Sequence, residues 1–419
     1  CSLNRADGET MSALIRQAGH AIIEDPETAD CIVINKCCVK DQTIKNFRRR
    51  MRKLPKKPIV ICGCIPEAEP KRSDLTGCSL VGTEHIGDIV AAIEATIAGQ
   101  HVHLLGPNDE HRLALPQEHG NPGIAIIPIS KGCLGDCAYC QTKLARRNLV
   151  SFRMADIVRC VRDAVAAGKT QIWLTSQDCG AYGLDIGETI IDLLDQVLRI
   201  PGDFIVRVGM MNPQYVLLYK DELVRIFQCQ NIYRFLHCPV QSGSDHVLGI
   251  MNRQYNAHDF RDAISFIRSR VPDITLATDI IVGHPGEAEK DFRASIALMQ
   301  QIRPHVVNVS KYSARPHTRS AAMEQIRRET ILHRTQRLNS CLHGIFHANN
   351  EAMIGWEGDV FIEAQKRAGS VVCVTPTDGA VVIQGDHALG QKLHIAVNDC
   401  TIHHLKGRVI THGRNVQGI

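Results

Sequence analysis

Apolar and polar residues alternate along this chain in three different ways. Over residues 1 to 105, short aliphatic runs separate stretches of helical period. Met11, Leu14, Ile15 and Ala18 recur at helical spacing, and the pattern stops at Gly19. The run Cys31–Ile34 reads as a buried strand, 43–54 as a basic helix, Pro58–Cys62 as a second strand, and Ile86–Ile97 as an amphipathic helix. Strand alternating with helix predicts a small parallel α/β domain. Residues 106–123, rich in Pro, Gly and charge, read as a linker.

From 124 to 345 the alternation becomes regular. Strands are predicted at Ile124–Ile129, Gln171–Thr175, Ile205–Gly209, Phe235–Val240, Leu276–Val282 and Val306–Ser310. Helical patterns fall between them, at Ala155–Ala167, Thr189–Leu198, Asp221–Phe227, Asp259–Arg268 and Asp291–Gln301. Six strand-then-helix repeats predict a partial (β/α)6 barrel, with its chemistry at the strands' C-terminal ends. Over 350–415 the pattern shortens to VFIEAQ, SVVCVTP, AVVIQG, KLHIAV and GRVI, split by Gly and Asp turns. That predicts a small β-barrel, a shape often used to bind oligonucleotides.

Composition narrows the class. The 419 residues are 44% hydrophobic and 22% charged, as expected of a globular protein of two to four domains. No apolar run reaches the ~18 residues of a membrane helix, and no signal peptide is visible. A cytoplasmic protein is expected. The chain opens at Cys1 without Met, so residues ahead of it are expected. A net charge of +4 permits a nucleic-acid partner without requiring one. The 17 cysteines are odd in number, which argues against a fully paired disulfide framework and for reduced, metal-binding thiols.

The chemistry concentrates in KGCLGDCAYC, residues 131–140. Cys133, Cys137 and Cys140 fall at C-x₃-C-x₂-C spacing, directly after the first barrel strand. Three thiolates can hold three irons of a 4Fe–4S cluster and leave the fourth open to a ligand. Gly132 and Gly135 let the backbone wrap a bulky cluster, and the next thiol, Cys160, lies far off in a predicted helix. In the N-terminal section Cys1, Cys37 and Cys64 stand at element ends, the last two after strands. Parallel neighbouring strands would bring such thiols together for a second cluster; buried structural cysteine is the plainer alternative.

The cysteine loop is the signature of radical S-adenosylmethionine enzymes, and the likeness extends along the chain. CSLNRAD, INKCCVKDQT, GCIP and VGTEHI resemble the N-terminal domain of methylthiotransferases, KGCLGDCAYCQTKLAR their radical domain, and the β-rich tail their RNA-binding TRAM module. LTSQDCGAYGLDIG, RVGMMNP, FLHCPVQSGSD, MNRQY, TDIIVGHPGE and KYSARPHT resemble the branch acting on threonylcarbamoyladenosine in tRNA. The resemblance implies two 4Fe–4S clusters and S-adenosyl-L-methionine as cofactors. Cys133, Cys137 and Cys140 would hold one cluster, and Cys1, Cys37 and Cys64 the other. It implies methylthio transfer to C2 of the modified adenosine beside the anticodon, begun by a deoxyadenosyl radical. The second cluster would supply or carry sulfur, and a further S-adenosyl-L-methionine the methyl group. Partners expected are tRNA, an electron donor and a sulfur donor, with no membrane; the protein is expected to be a monomer.

Several positions depart from the family pattern. Cys38 stands beside Cys37 and leaves the ligand choice open, the pattern favouring Cys37. Arg147 replaces a usual glycine, His284 an aromatic, Cys179 a threonine and Lys36 a threonine. The strand expected ahead of Cys1 is absent, which leaves that ligand poorly anchored.

Other side chains have two readings each. Tyr139 either packs on the cofactor's adenine or fills the loop. Thr175, Ser176, Gln177 and Asp178 end the second strand; Ser176 and Gln177 are assigned to the cofactor and Asp178 to the substrate, with helix capping the alternative. Arg207, in a strand, is expected to pair with a carboxylate at the cofactor. Gln241, Ser242 and Gly243 follow another strand; Gln241 is assigned to the cofactor, with turn formation the alternative. Asp279 either anchors a ribose of the cofactor or only pairs with a basic neighbour, and Arg315 either meets the substrate's carboxylate or is an exposed loop arginine. The basic run Arg48, Arg49, Arg50, Arg52, Lys53, Lys56 and Lys57 is either a solvated face or a phosphate contact. Aromatics are only 5%, so recognition is expected to rely on tRNA shape and one extracted base rather than extensive stacking. Two other functions stay open: a methylthiotransferase for isopentenyladenosine tRNA or a ribosomal-protein aspartate, and a metal-stabilised RNA-binding protein without turnover.

Overall fold

A computed structural model describes residues 1–39, 41–109, 111–366 and 369–410. The end of the expected C-terminal barrel segment, 411–415, lies outside the described residues.

The N-terminal section follows its aliphatic runs. Helix α1 (Ser2–Gln17) leads to β1 (Ile32–Lys36), α2 (Asp41–Met51), β2 (Ile59–Gly63) and the short α3 (Cys64–Ala68). Strand β3 (Ser79–Val81), α4 (Ile89–Ile97) and β4 (His103–Leu104) complete it. The four strands form one parallel sheet in the order β1-β2-β3-β4. Ile34, Phe47, Ile61 and Leu80 pack one face; Met11, Val60, Val81 and Ile89 pack the other. Parallel strands buried on both sides read as continuous apolar runs.

The central section begins with β5 (Ile124–Pro128), the β6 (Ser130–Lys131) and β7 (Val150–Ser151) pair, and α5 (Thr142–Arg146) between those two. Then come α6 (Met154–Ala166), β8 (Gln171–Thr175), α7 (Ile190–Val197), β9 (Ile205–Val208), α8 (Pro213–Leu218) and α9 (Lys220–Phe227). The second half holds β10 (Phe235–His237), α10 (Asp245–Ile250), α11 (Ala257–Arg270), β11 (Thr275–Val282), α12 (Glu289–Ile302) and β12 (Val306–Lys311). The strands make two parallel three-stranded sheets, β5-β8-β9 and β10-β11-β12. A bridge between Val206 and Ile232 joins them, which gives the six-stranded open barrel. The long helix α13 (Arg328–Glu351) leaves it.

The C-terminal strands are β13 (Glu357–Lys366), β14 (Ser370–Val374), β15 (Ala380–Gln384), β16 (Lys392–Cys400) and β17 (Leu405–Val409). They close into a barrel in the order β13-β14-β15-β17-β16 around Val360, Ile362, Val371, Val381 and Ile395. Phe361 and Val374 pack against Ile205, Tyr233 and Phe235, seating this barrel on the central one.

Residues 111–123 act as a strap. Arg112 bonds Asp7 on α1 (3.0 Å), Gln117 reaches Glu9 (3.1 Å) and the Ile126 carbonyl (2.8 Å), and Asn121 reaches the Glu363 carbonyl (2.8 Å). The strap thus bonds all three sections. Among the described residues no helix is long and apolar enough to cross a membrane.

Candidate active site

The cysteine loop runs from β6 to α5 and is held from several directions. Ala138 N–H donates to Met251 O (2.9 Å), Ser320 N–H to Ala138 O (2.9 Å), and Asn252 Nδ2 to Asp136 O (2.7 Å). Gly132 has φ +71°, and a Cβ there would lie 1.8 Å from Asn148 O. Only glycine allows that approach. Cys133, Cys137 and Cys140 are half-buried, and each sulfur has a donor. Gly135 N–H reaches Cys133 Sγ (3.3 Å), Arg253 Nη1 reaches Cys137 Sγ (3.0 Å), and the N–H groups of Lys143 and Thr142 act on Cys140. Burial pushes the Cys133 thiol up to about 12. A metal replaces such a proton, and donors aimed at sulfur then stabilise the thiolate. The donor set, three thiols in one loop with a donor at each sulfur, is of the kind an iron–sulfur cluster takes, although among the described residues no three His, Cys, Asp or Glu side chains are already gathered as a metal-ion site.

Arg253 is the residue that sequence reasoning missed. It is half-buried and stacks on Tyr255 (4.8 Å), bonds Tyr139 Oη (3.4 Å), and donates to Asn212 Oδ1. Asn212 in turn donates to Asp178 through its backbone (3.1 Å) and Nδ2 (2.5 Å). Asp178 also caps the 3₁₀ turn Cys179–Ala181. Burial raises its carboxyl to about 6, although those donors and Arg253 pull the other way. Arg253 and Asn212 lie in MNRQY and RVGMMNP, segments singled out above only for likeness.

The N-terminal thiols gather at the ends of β1 and β2. Cys37 and Cys38 both bond Cys64, and Arg146 Nε lies 3.4 Å from Cys64 Sγ. The thiol bonds and the guanidinium hold Cys64 well below the usual thiol range, while Cys37 and Cys38 are pushed up. Arg146 also pairs with Asp7, so α5 of the cysteine loop is tied to both α1 and the second thiol group. Cys1 is exposed at the start of α1. One turn on, Asn4 bonds Asn35 at the end of β1 (2.6 Å), which lays this turn over the strand ends.

A cavity of about 680 Å³ opens between the two thiol groups. Cys38 and Cys140 share its wall with Tyr139, Gln241, Asp279 and Arg315. Gln241 takes φ +70° and is bonded across to Asp279 O (2.8 Å). Asp279 faces His237 Nε2 at 3.2 Å. Arg315 donates to Val39 O (3.2 Å), bridging the central and N-terminal sections. Ser176 is nearly buried, and its Oγ accepts from Asp178 N–H (3.1 Å); Gln177 is half-buried beside it. Thr175, the last residue of β8, accepts at its carbonyl from Ile129 N–H (2.9 Å). Ser242 accepts from Ser244 N–H (3.2 Å), and Gly243 approaches Ala294 too closely for any Cβ, so this segment makes a tight turn. Arg207 lies elsewhere than at this wall. It stacks over Phe235 (4.2 Å) and donates to Asp378 of the C-terminal barrel (3.0 and 3.1 Å).

The departures have visible surroundings. Arg147 sits at φ 62°, ψ −149°, a region nearly reserved for glycine, with its guanidinium 2.6 Å from Glu67 and 3.6 Å from Glu84. Burial lowers His284 to about 4, so the ring is neutral; it packs edge-on against Tyr139 and Tyr312 as an aromatic would. Cys179 is fully buried, and Lys36 ends β1. The basic run on and after α2 is mostly exposed, with Arg48 paired to Asp74 (3.3 Å).

An open six-stranded parallel barrel with a three-thiol loop after its first strand defines the radical S-adenosylmethionine class. The Radical SAM superfamily matches residues 127–299, and the family described as "Uncharacterized protein family UPF0004" matches residues 1–77. In fold, the chain resembles the cobalamin- and 4Fe–4S-bound radical S-adenosylmethionine methyltransferase TsrM from Kitasatospora setae. That likeness has TM-score 0.56 at 14% identity and covers 75% of this chain and 70% of that one. The chain belongs to the threonylcarbamoyladenosine tRNA methylthiotransferase family. It is 37% identical to the "Probable threonylcarbamoyladenosine tRNA methylthiotransferase" of Pyrococcus abyssi over 98% of both chains. It is 36% identical to the threonylcarbamoyladenosine tRNA methylthiotransferase of Danio rerio, over 97% of this chain and 76% of that one. The human relative is 39% identical over 82% of this chain and 61% of its own.

Proposed function

We propose that this protein transfers a methylthio group to C2 of N6-threonylcarbamoyladenosine beside the anticodon of tRNA. The observation that carries the reading is the cavity with Cys140 on one wall and Cys38, next to Cys37 and Cys64, on another. A C2–H offers little to an acid or base, and bound S-adenosyl-L-methionine with a reduced cluster supplies the radical chemistry that such a carbon needs.

The chain's own residues hold and orient. Cys133, Cys137 and Cys140 would hold one cluster; Cys64 with Cys37 or Cys38, and Cys1, would hold the other. Arg253 and the N–H donors stabilise the first set of thiolates. Tyr139, Gln241 and Asp279 face the cofactor's side of the cavity, and Arg315 stands ready for the threonyl carboxylate. Ser176, Gln177 and Asp178 shape the adjoining turn. The C-terminal barrel and the basic run on α2 carry the RNA. An electron donor and a sulfur donor complete the turnover, and a cytoplasmic setting keeps the thiols reduced.

The test is mass spectrometry of tRNA nucleosides with the protein deleted and restored. An unchanged methylthio-threonylcarbamoyladenosine level rejects the reading, and loss of methylthio-isopentenyladenosine instead transfers it to that substrate. Cys133→Ala, Cys137→Ala and Cys140→Ala should abolish cofactor cleavage. Cys37→Ala with Cys64→Ala should leave cleavage and stop thiolation.

A further inference from the structure

The C-terminal half of α13 carries side chains the reaction does not use. In CLHGIFHANN, His343 and His347 are four residues apart and share one helical face. Opposite them runs the turn from β16 to β17, Cys400-Thr-Ile-His403-His404. That turn is well ordered: Thr401 Oγ1 accepts from the N–H groups of His403 (3.2 Å) and His404 (3.1 Å). Asn350, one turn past His347, donates to the carbonyls of Thr401 (2.9 Å) and Ile402 (3.2 Å). Helix and turn are therefore held in register. In that register His347 Nδ1 lies 4.0 Å from Cys400 Sγ. The His343 and His403 rings meet edge-on, with centroids 6.1 Å apart and planes at 88°.

We propose that His343, His347, Cys400 and His403 form a site for a divalent cation of the zinc class, separate from the iron–sulfur centres. Imidazole and thiolate are the donors such an ion prefers, and two histidines one helical turn apart stand on one face, from which both rings can be turned toward one ion. Zinc–sulfur and zinc–nitrogen bonds meeting at a tetrahedral angle set S and N about 3.6 Å apart. The Cys400–His347 gap exceeds that by a few tenths of an ångström. His343, His347 and His403 are exposed, so their rings can turn without repacking the core. Among the described residues no three His, Cys, Asp or Glu side chains are already gathered for one ion, so binding must draw the two pairs together.

The neighbouring charges define the set. Lys406 is neutralised by Asp399 at 2.7 Å. His404 is held below the usual imidazole range by burial and then by Lys366 and Lys406, and its Nδ1 faces Thr401 Oγ1 (3.1 Å), which leaves it outside the ligand group. An ion at this place would clamp the C-terminal barrel to the helix that leaves the central barrel.

The test uses the full chain with its clusters, equilibrated anaerobically with Zn²⁺, desalted, and assayed for zinc, iron and sulfide. About one zinc per chain should be retained. His347→Ala and Cys400→Ser should each weaken retention at least about tenfold, the scale seen even for outer-shell partners. Iron and sulfide should not change, and Cys341→Ser, on the same helix, should keep zinc. With Co²⁺, the wild type should show a thiolate charge-transfer band that Cys400→Ser lacks. Zinc retained equally by the wild type and both ligand variants, or by neither, overturns the proposal.

Discussion

Replacing Arg207 by Met separates two roles that its position allows. Its guanidinium donates twice to Asp378 Oδ2 and lies over Phe235. Asp378 sits in the β14–β15 turn; burial pushes its carboxyl up, and Arg207 pulls it back. Met keeps the length and apolar bulk but strands the carboxylate. Breaking one side of a buried pair costs about 3–5 kcal/mol, and Arg207's 21% side-chain exposure favours the lower end. There is also a ceiling. A carboxyl of ordinary pKa can be protonated at pH 7 for about 4 kcal/mol, and at pH 5 for about 1.5 kcal/mol. The stranded Asp378 has a folded pKa raised above its unfolded value. Its destabilisation is absent below the unfolded pKa and grows as pH rises. The expected loss is thus about 3 kcal/mol at pH 7, or roughly 10²-fold in amide protection of β14 and β15, and at most about tenfold at pH 5. Asp378→Asn should also loosen the barrel but without relief at pH 5, since an amide cannot shed its cost by protonation, and the double variant should cost little more than either change alone. Native-state amide exchange by mass spectrometry measures this, with cofactor cleavage assayed in parallel. Intact cleavage with a loosened barrel fits the interdomain seat. Lost cleavage with unchanged protection would refute it and return Arg207 to the cofactor.

Three further outcomes follow from single positions. Gly132→Ala should force the loop off Asn148 and lower anaerobically counted iron from about eight to about four per chain; full iron would contradict the close-approach argument. Glu363, pushed up to about 7 by burial and then by Asp378, destabilises the fold progressively as pH rises from about 4.3 through 7. Glu363→Gln should therefore stabilise by at most about 4 kcal/mol at pH 8 and by about 1 kcal/mol at pH 5, read from thermal unfolding; a larger gain at pH 5 than at pH 8 would reverse the sign of the argument. Arg49→Gln, on the exposed face of α2, should reduce the salt dependence of tRNA binding by about one in log–log slope, whereas an unaltered slope makes that face merely solvated.

What could be read ahead of the structure was whatever lies close together along the chain. The six barrel strands are aliphatic runs, and the C-x₃-C-x₂-C loop places its three thiols within one turn-rich segment. Strands β3 and β4 escaped because three and two residues carry no detectable period. Helix α13 escaped because its buried stripe, Ile331, Leu338, Leu342 and Ile345, is one residue wide among charged neighbours. The site's support is non-local: Arg253 meets Cys137 across 116 residues, and Arg146 meets Cys64 across 82. Nothing in residues 131–140 marks those partners, since a guanidinium beside a sulfur is specified by how strands and helices stack. Arg207 shows the same limit from the other side. A carboxylate partner was expected from the cost of a buried strand arginine, but the one found lies 171 residues away in another barrel. Residue type announces that a charge needs a partner, and only packing decides whether that partner is a ligand or a neighbouring domain.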